Sequence, residues 1–191
     1  MPAQPEPLKV SCGDSSCNEN LHCFRPRSDT PAEQHGHCRE CGADLVDWET
    51  LHQRDLDQID ALFAELPKEL IRHHYWHTTI PEAVLAKARR YRPEVIARRT
   101  TAAIHSRVGP ASSAIFRDGT QTPDEHSENA QIYFLGMHAV AACCRKCMEY
   151  WHGIPRERPL TVADEQYFSE LVWAYVCQRM DWPDYLGLIR E

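Results

Sequence analysis

Three cysteines lie close together in the segment CCRKC, at Cys143, Cys144 and Cys147, and a histidine lies on each side of it, at His138 and His152. Thiolate and imidazole groups are the common protein ligands of zinc. On one helix beginning near His138, Cys144 and Cys147 are three residues apart and share a face, whereas Cys143 is rotated off it. We therefore predict that Cys144 and Cys147 bind a metal with His138 and His152, and that Cys143 packs in the core.

The length of such a helix argues against part of this ligand set. A straight helix from His138 to His152 would extend about 21 Å at about 1.5 Å per residue, too far for both imidazoles to reach one ion. His126 or His105 would then supply the missing ligand. A redox dithiol is the alternative interpretation of the C-x2-C spacing, but the sequence lacks the parallel βαβ context expected for it.

A second group of cysteines lies near the N-terminus. Cys12 and Cys17 form a C-x4-C pair, and Cys38 and Cys41 form a C-x2-C pair that glycine follows. Two such pairs can place four thiolates around one tetrahedral zinc ion, which is the closed shell of a structural site. Cys23 is the alternative to Cys12 as the fourth ligand, because the spacing also allows it. The pattern is typical of a zinc ribbon.

Length and composition indicate what kind of protein carries these cysteines. The chain has 191 residues, of which 42% are hydrophobic and 26% are charged, as in one globular domain with a small appendage. Its N-terminus lacks the apolar stretch of a signal peptide, and no segment reaches the about 18 apolar residues of a membrane span. We therefore expect a cytoplasmic protein without membrane attachment. In that compartment its nine cysteines are expected to be metal ligands rather than disulfides.

Helical patterns dominate the chain after the first cysteine group. Apolar residues recur at helical spacing from Thr50 to Leu66, and prolines then begin further helices. Thr161 and Asp164 form an N-terminal capping signal for a last helix. The apolar run from Ile132 to Gly136 is compatible with one short strand.

Residues 108–130 are rich in glycine, proline, serine and aspartate, and they predict a long loop, which is uncommon in a compact domain without a function. We predict a mainly α fold with a small zinc-ribbon-like N-terminal module and at most a short β element (α+β). The module is assigned to residues 1–48. The helical domain, with its Cys/His cluster, is assigned to residues 49–191.

Three segments of the C-terminal half resemble the signatures of a known family. DGTQTP at 118–123, HAVAACCRKC at 138–147 and WHGIPRERPLT at 151–161 are similar to DG-x-QTP, HATATCCR-x-C and WHGIP-x-x-R-x-LT. These are signatures of a bacterial family, domain of unknown function four-one-eight-six. Some members of that family carry an N-terminal extension similar to the zinc-ribbon-like segment. The resemblance implies a common fold and a shared metal or active site, and it implies no reaction.

Basic residues are concentrated in one part of an otherwise acidic protein. The formal net charge is −7, so a contact with nucleic acid must use a local basic face. The segment from Lys87 to Arg107 holds seven Lys or Arg residues against one Glu. It predicts phosphate contacts through Arg89, Arg90, Arg98 and Arg99. A solvated helix face is the alternative interpretation of the same charges.

Two functions from different classes fit these patterns. The first is a zinc-stabilised module that binds nucleic acid or another protein, with one structural zinc ion and room for a second. The alternative is a metal-dependent hydrolase or nuclease, which needs an open coordination position and a nearby base. Such an enzyme would use the His138/Cys144/Cys147/His152 cluster. His138 and Cys144 or Cys147 would hold the ion, and the group that acts on water and substrate would be His152, Asp118, Gln121 or His126. The sequence contains no HNH-type arrangement or carboxylate cluster, so we favour the binding module. It does not define an oligomeric state.

Overall fold

The computed structural model of the protein describes residues 10–182, and the regular structure in this range is helical. Short 3-10 turns connect several of the helices, and a π-helical turn at Ile104–Val108 extends the fifth. Between residues 10 and 182, β pairing is limited to two isolated bridges. The predicted mainly α fold is therefore confirmed. The α-helices are α1 (Trp48–His52), α2 (Ile59–Glu65), α3 (Leu70–His77), α4 (Glu82–Arg89), α5 (Pro93–Ala103), α6 (Ile132–Ala139), α7 (Arg145–His152) and α8 (Val162–Met180).

Helix α8 lies at the centre of the packing. It begins at the predicted capping box, in which Thr161 Oγ1 accepts a hydrogen bond from the Asp164 backbone N–H at 3.1 Å and Asp164 Oδ2 accepts one from Thr161 N–H at 2.9 Å. Helices α5 and α6 pack against it. At Gly136 of α6 an added Cβ would lie 3.0 Å from both Tyr175 and Val172 of α8. Glycine at this position allows the two helices to approach closely.

The predicted strand at 132–136 is wrong, because these residues form the first part of α6. All eight residues of α6 are buried, between α3 on one side and α8 on the other. A helix that is buried all round has a continuous apolar sequence, which hydrophobic spacing alone does not distinguish from a buried strand.

The predicted single helix beginning near His138 is also wrong. Helix α6 ends at Ala139, the next turn contains Ala141 at a φ of 57°, and α7 begins at Arg145. Cys144 is the N-cap of α7, with its thiol accepting a hydrogen bond from Cys147 N–H at 3.4 Å. Two short helices joined by a bend therefore replace the long helix.

The N-terminal segment shares a core with the helices. Phe24 packs edge-on against Trp48 and against Trp151 of α7, with ring centroids at 5.7 and 5.9 Å. The backbone of His22 pairs with the residues before α3, through His22 N–H to Lys68 O at 2.8 Å and Leu70 N–H to His22 O at 2.9 Å. Residues 10–48 therefore lie directly against the helical part, and the division at residue 48 stays a prediction.

The predicted loop is present between α5 and α6. Apart from one 3-10 turn at Ser112–Ala114, residues 109–131 have no helix or strand. No helix within 10–182 has both the length and the apolar character needed to cross a lipid bilayer.

Candidate metal centres and a basic cleft

The first group of metal-binding side chains lies in the N-terminal segment and contains Cys17, His22, Cys38 and Cys41. One ligand atom from each lies within 4.8 Å of the other three. The Cys17 and Cys38 sulfurs are 3.8 Å apart, and Cys41 Sγ is 3.5 Å from His22 Nδ1. Zinc–sulfur bonds of about 2.3 Å in a tetrahedron place two sulfurs about 3.8 Å apart. The donor set and its spacing fit one zinc ion, as expected for a zinc-ribbon-like extension.

A tight turn presents two of these thiols together. The turn is closed by a hydrogen bond from Gly42 N–H to Cys38 O at 2.8 Å, and Gly42 has a φ of 74°, which glycine adopts without strain. Burial acts to raise the pKa of Cys38, but backbone hydrogen bonds with Cys23 and Cys41 lower it to about 6. The Cys38 thiol is therefore readily ionised, as a metal ligand must be.

His22 is held by the backbone pairing with the residues before α3 and by a hydrogen bond from its own ring. Its Nε2 lies 3.1 Å from Asn20 Oδ1, so the other nitrogen, Nδ1, faces Cys41. A hydrogen bond of this kind commonly orients a metal-binding histidine. His22 was not among the predicted ligands, although the spacing Cys17-x4-His22 was available as a signal.

The structure places the two cysteines considered for the fourth position outside this group. Cys23 is fully buried, and its thiol donates a hydrogen bond to the carbonyl oxygen of Cys12 at 3.4 Å. The Cys12 side chain packs against the core, and the Cys147 thiol together with burial raises its pKa.

The second group consists of Cys143, Cys144 and Cys147, whose sulfurs all lie within 4.8 Å of one another. Cys147 Sγ is 3.6 Å from Cys143 Sγ and 3.4 Å from Cys144 Sγ. All three residues are buried. The prediction that Cys143 lies away from the metal ligands is therefore wrong in position: Cys143 precedes Cys147 by four residues, and their sulfurs are in contact.

A buried arginine supplies positive charge to these thiols. Arg72 of α3 donates a hydrogen bond from Nη2 to Cys147 Sγ at 3.1 Å and from Nε to Glu69 Oε2 at 3.0 Å. Glu69 also accepts hydrogen bonds from Trp151 Nε1 at 2.8 Å and from the Tyr150 hydroxyl at 3.0 Å. Hydrogen bonds from neighbouring thiols and the charge of Arg72, opposed by burial, hold the pKa of Cys147 well below its ordinary value.

The two histidines predicted to complete this site lie outside the three-cysteine group. His152 uses both ring nitrogens elsewhere, with Nε2 at 2.9 Å from Val140 O and Nδ1 at 3.0 Å from the Tyr167 hydroxyl. His138 Nε2 is 3.2 Å from Thr122 O. Burial lowers the pKa of His138 to about 4 and that of His152 to about 3, so both are neutral at pH 7.

The neutral state of His152 predicts a loss of stability in acid. The pKa of His152 is about 3 in the folded protein and about 6.5 in the unfolded chain, so the unfolded chain binds a proton first and stability falls below about pH 6.5. At 1.36 kcal/mol per pH unit, the loss between pH 7 and pH 5 is about 2 kcal/mol. Urea unfolding at the two pH values measures it. His152→Gln should reduce the dependence by about that amount, and replacing the exposed His35 with Gln should not. An unchanged dependence in His152→Gln would contradict the assignment.

His105 and His126, the alternatives considered as the missing metal ligand, contact carboxylates instead. His105 Nδ1 lies 3.0 Å from Glu165 Oε1, and His126 Nε2 lies 3.5 Å from Glu125 Oε1. Neither belongs to a group of metal-binding side chains within residues 10–182.

Three segments of the chain meet around the start of α7. The Arg145 backbone N–H donates to Asp118 Oδ1 at 3.1 Å, and Arg145 Nη2 donates to Pro155 O at 2.9 Å. Thr122 Oγ1 donates to Cys143 O at 3.0 Å. Gln121, which was considered near a substrate, donates from Nε2 to a carbonyl of its own loop. The loop 118–123 and the turn after α7 thus support the cysteine-bearing bend.

A basic cleft lies between the N-terminal segment and α7. It has a volume of ≈ 600 Å³, and five of its lining side chains are cationic. A neighbouring hollow of ≈ 480 Å³ shares four lining residues with it and adds Trp48 and His52. The five cationic residues of the cleft are Arg25, Arg27, Arg39, Lys146 and Arg156.

Two of the five cations have no acidic partner. Arg27 and Arg39 both pair with Glu40, at 2.6 and 3.3 Å. By contrast, nothing in residues 10–182 forms a hydrogen bond or an ion pair with the side chain of Arg25 or Lys146. Burial lowers the pKa of Arg25, but the negative charges of Cys147 and Cys12 raise it overall. Arg25 therefore lines the cleft within range of the charge of the buried cysteines.

The basic residues predicted from the sequence lie on α4 and α5 and do not line this cleft. Arg89 pairs with Glu82 at 3.1 Å, and Arg99 stacks over the Tyr91 ring at 3.9 Å. Arg90 and Arg98 are exposed. Phosphate contact through these four residues stays a prediction.

A comparison with known families gives one match. A family model described as "Domain of unknown function (DUF4186)" matches residues 60–177, more than half of the chain. The matched range contains the second group of cysteines and begins after the first. No solved structure matches the chain.

Proposed function

The chain belongs to the DUF4186 family, and we propose that it is a zinc-binding protein that binds single-stranded nucleic acid in the cleft between its N-terminal segment and α7. The observation that carries this proposal is a cleft lined by five cations, two of which, Arg25 and Lys146, have no carboxylate partner within residues 10–182. In a chain of net charge −7, such a concentration of positive charge favours a phosphate-bearing ligand.

The aromatic side chains beside the cations support a nucleic-acid ligand over a simple anion. Tyr150 lines both the cleft and the neighbouring hollow, and Trp48 lines the hollow. Trp48 is held in place by a hydrogen bond from Nε1 to Gly36 O at 3.0 Å. Stacking of an unpaired base on such a ring contributes about 1–3 kcal/mol and works for any base. A groove with cations and aromatic rings is the usual arrangement for binding a single strand.

A structural zinc ion at Cys17, His22, Cys38 and Cys41 would hold one wall of this cleft. Arg39 lies within the turn that carries Cys38 and Cys41, and Arg25 follows His22 by three residues. Four protein ligands complete the zinc shell, so this ion leaves no position for a substrate. Its role would be to fix the positions of the basic side chains.

A binding experiment with matched charge changes tests the proposal. We expect Arg25→Glu combined with Lys146→Glu to weaken binding of a fluorescein-labelled single strand at least about 100-fold, since two phosphate contacts become repulsive. Arg89→Glu combined with Arg90→Glu makes the same change in net charge on α4 and should have little effect. Fluorescence anisotropy over a range of salt concentrations measures both, and the cleft variant should have the shallower salt dependence.

The outcomes separate the competing functions. Absence of binding by the wild-type protein at low salt would contradict a nucleic-acid ligand and favour a protein partner. Loss of binding in the α4 variant alone would assign the contact to the basic face predicted from the sequence. Cleavage of the labelled strand during the titration would favour the metal-dependent nuclease.

A further inference from the structure

The second group of cysteines offers three thiols where tetrahedral zinc takes four ligands. The sulfur of Cys147 lies 3.6 Å from that of Cys143 and 3.4 Å from that of Cys144. Both distances are close to the about 3.8 Å expected between two sulfurs on one zinc ion. These distances are far longer than the about 2.05 Å of a disulfide. His138 and His152 hydrogen-bond elsewhere through their rings. A fourth protein ligand would therefore come from another part of the chain, and without one the fourth position would be open to water.

Cys12 is the side chain in position to supply it. Cys12 packs against the buried core, and the neighbouring Cys147 thiol raises its pKa, although the Cys12 sulfur lies outside the set in which all sulfurs are within 4.8 Å of one another. A small turn holds it there, with Asp14 N–H donating to Ser11 O at 3.1 Å and Ser11 N–H donating to Asp14 Oδ2 at 2.7 Å. The Cys23 thiol fixes the backbone of Cys12 from the other side, at 3.4 Å.

We propose that Cys12, Cys143, Cys144 and Cys147 bind one Zn²⁺ ion, in a second metal site that joins the N-terminal segment to the start of α7. Four soft thiolates in a tetrahedron suit zinc. The proposal does not depend on the nucleic-acid function, because the metal can be measured without any ligand.

The surroundings of the site suit the charge it would carry. Four thiolates and Zn²⁺ have a net charge of −2, which is unfavourable in a buried position without compensation. Arg72 donates to Cys147 Sγ at 3.1 Å and approaches Cys143 Sγ at 3.8 Å. Arg25 provides a second cation on the side of the cleft. Hydrogen bonds from such neighbours strengthen a metal site and orient its ligands.

The site would connect distant parts of the chain. Cys12 precedes the first metal group, whereas Cys143 and Cys144 lie in the bend between α6 and α7. A metal bridging them would lie close to the basic cleft, since Lys146, which lines the cleft, is the residue before Cys147.

Zinc content and cobalt spectra of the full-length chain test the site. With both metal groups loaded, the wild-type protein should bind two zinc ions per chain. In Cys12→Ala, one of the two ions should pass to a competing chelator at least about tenfold faster than in the wild type. Losing only a hydrogen bond to a metal ligand already lowers metal affinity about tenfold, and this variant loses a ligand itself. In the cobalt-loaded protein, the same variant should lose thiolate-to-cobalt charge-transfer absorption. Cys177→Ala, which removes a buried cysteine outside both groups, should match the wild type.

Cys12→Ser and Cys143→Ala extend the test to variants with different risks of misfolding. Both should weaken retention of the same ion, with helical circular dichroism confirming that the chain is folded. One zinc ion per wild-type chain would overturn the site, as would a Cys12→Ala protein with wild-type cobalt absorption. Iron and the visible absorption of an iron–sulfur cluster in the purified chain would overturn the assignment to zinc. Loss of nucleic-acid binding with intact metal content would affect only the proposed function.

Discussion

Replacing Cys38 with serine is expected to lower the zinc content by one ion per chain and to loosen the N-terminal segment. Cys38 is 2% exposed and lies within 4.8 Å of the three other ligand atoms of its group, so its loss opens the zinc shell. Zinc binding contributes about 10–16 kcal/mol to the folding of zinc-finger peptides, and we expect this ion to stabilise the N-terminal segment in the same way. Hydrogen exchange should show lost amide protection in residues 16–46. Helices α6 and α8, which pack against each other, should keep theirs.

A matched cysteine in the same segment provides the control. Cys23 is also buried, but it lies outside the group and donates to a backbone carbonyl, which serine can also do. Cys23→Ser should therefore keep the zinc ion. If Cys23→Ser loses the ion and His22→Ala retains it, Cys23 is the fourth ligand and His22 is not. Unchanged zinc content in Cys38→Ser would refute the first site altogether.

Replacing Arg72 with methionine is expected to destabilise the folded protein by about 3–5 kcal/mol, the range for breaking one side of a buried ion pair. Both Arg72 and Glu69 are 0% exposed, and their pair is 3.0 Å long. The substitution leaves the Glu69 carboxylate buried without its cation, and it also removes the donor to Cys147 Sγ at 3.1 Å. The midpoint of urea unfolding measures the loss.

Two further variants assign this loss to the buried charge. Arg89→Met breaks an exposed pair with Glu82, where the expected change is below about 1 kcal/mol. Adding Glu69→Gln to Arg72→Met removes the unpaired carboxylate and should recover part of the stability. A loss under about 1 kcal/mol in Arg72→Met would show that the buried pair contributes little.

Local patterns in the sequence predicted several features that the structure contains. The capping box at Thr161 and Asp164 was predicted, and the structure confirms it. The prediction was possible because the motif involves only two residues that are three positions apart. The turn that carries Cys38 and Cys41 is equally local. The loop 109–131 could be predicted from the sequence because glycine, proline and aspartate favour turns through local backbone effects.

Other expectations failed because packing decided the local structure. Residues 132–136 are apolar throughout, and they form part of a helix because α3 and α8 surround them. The bend at Ala141, with a φ of 57°, has no glycine or proline to announce it. The sulfurs of Cys143 and Cys147 lie 3.6 Å apart, a contact that the four-residue spacing also permits on a continuous helix, so the expected exclusion of Cys143 neglected this spacing.

The sequence by itself determined the helical class, the two groups of cysteines and the family, because each depends on residue types at short spacing. Only the tertiary structure decided which side chains share a site. His22 joins the first group through backbone pairing with the residues before α3, and Cys12 packs against the core near enough for the Cys147 thiol to raise its pKa. The cleft likewise combines Arg25 with Lys146. Contacts between residues this far apart in the chain depend on how the helices pack, and spacing in the sequence carries no information about that distance.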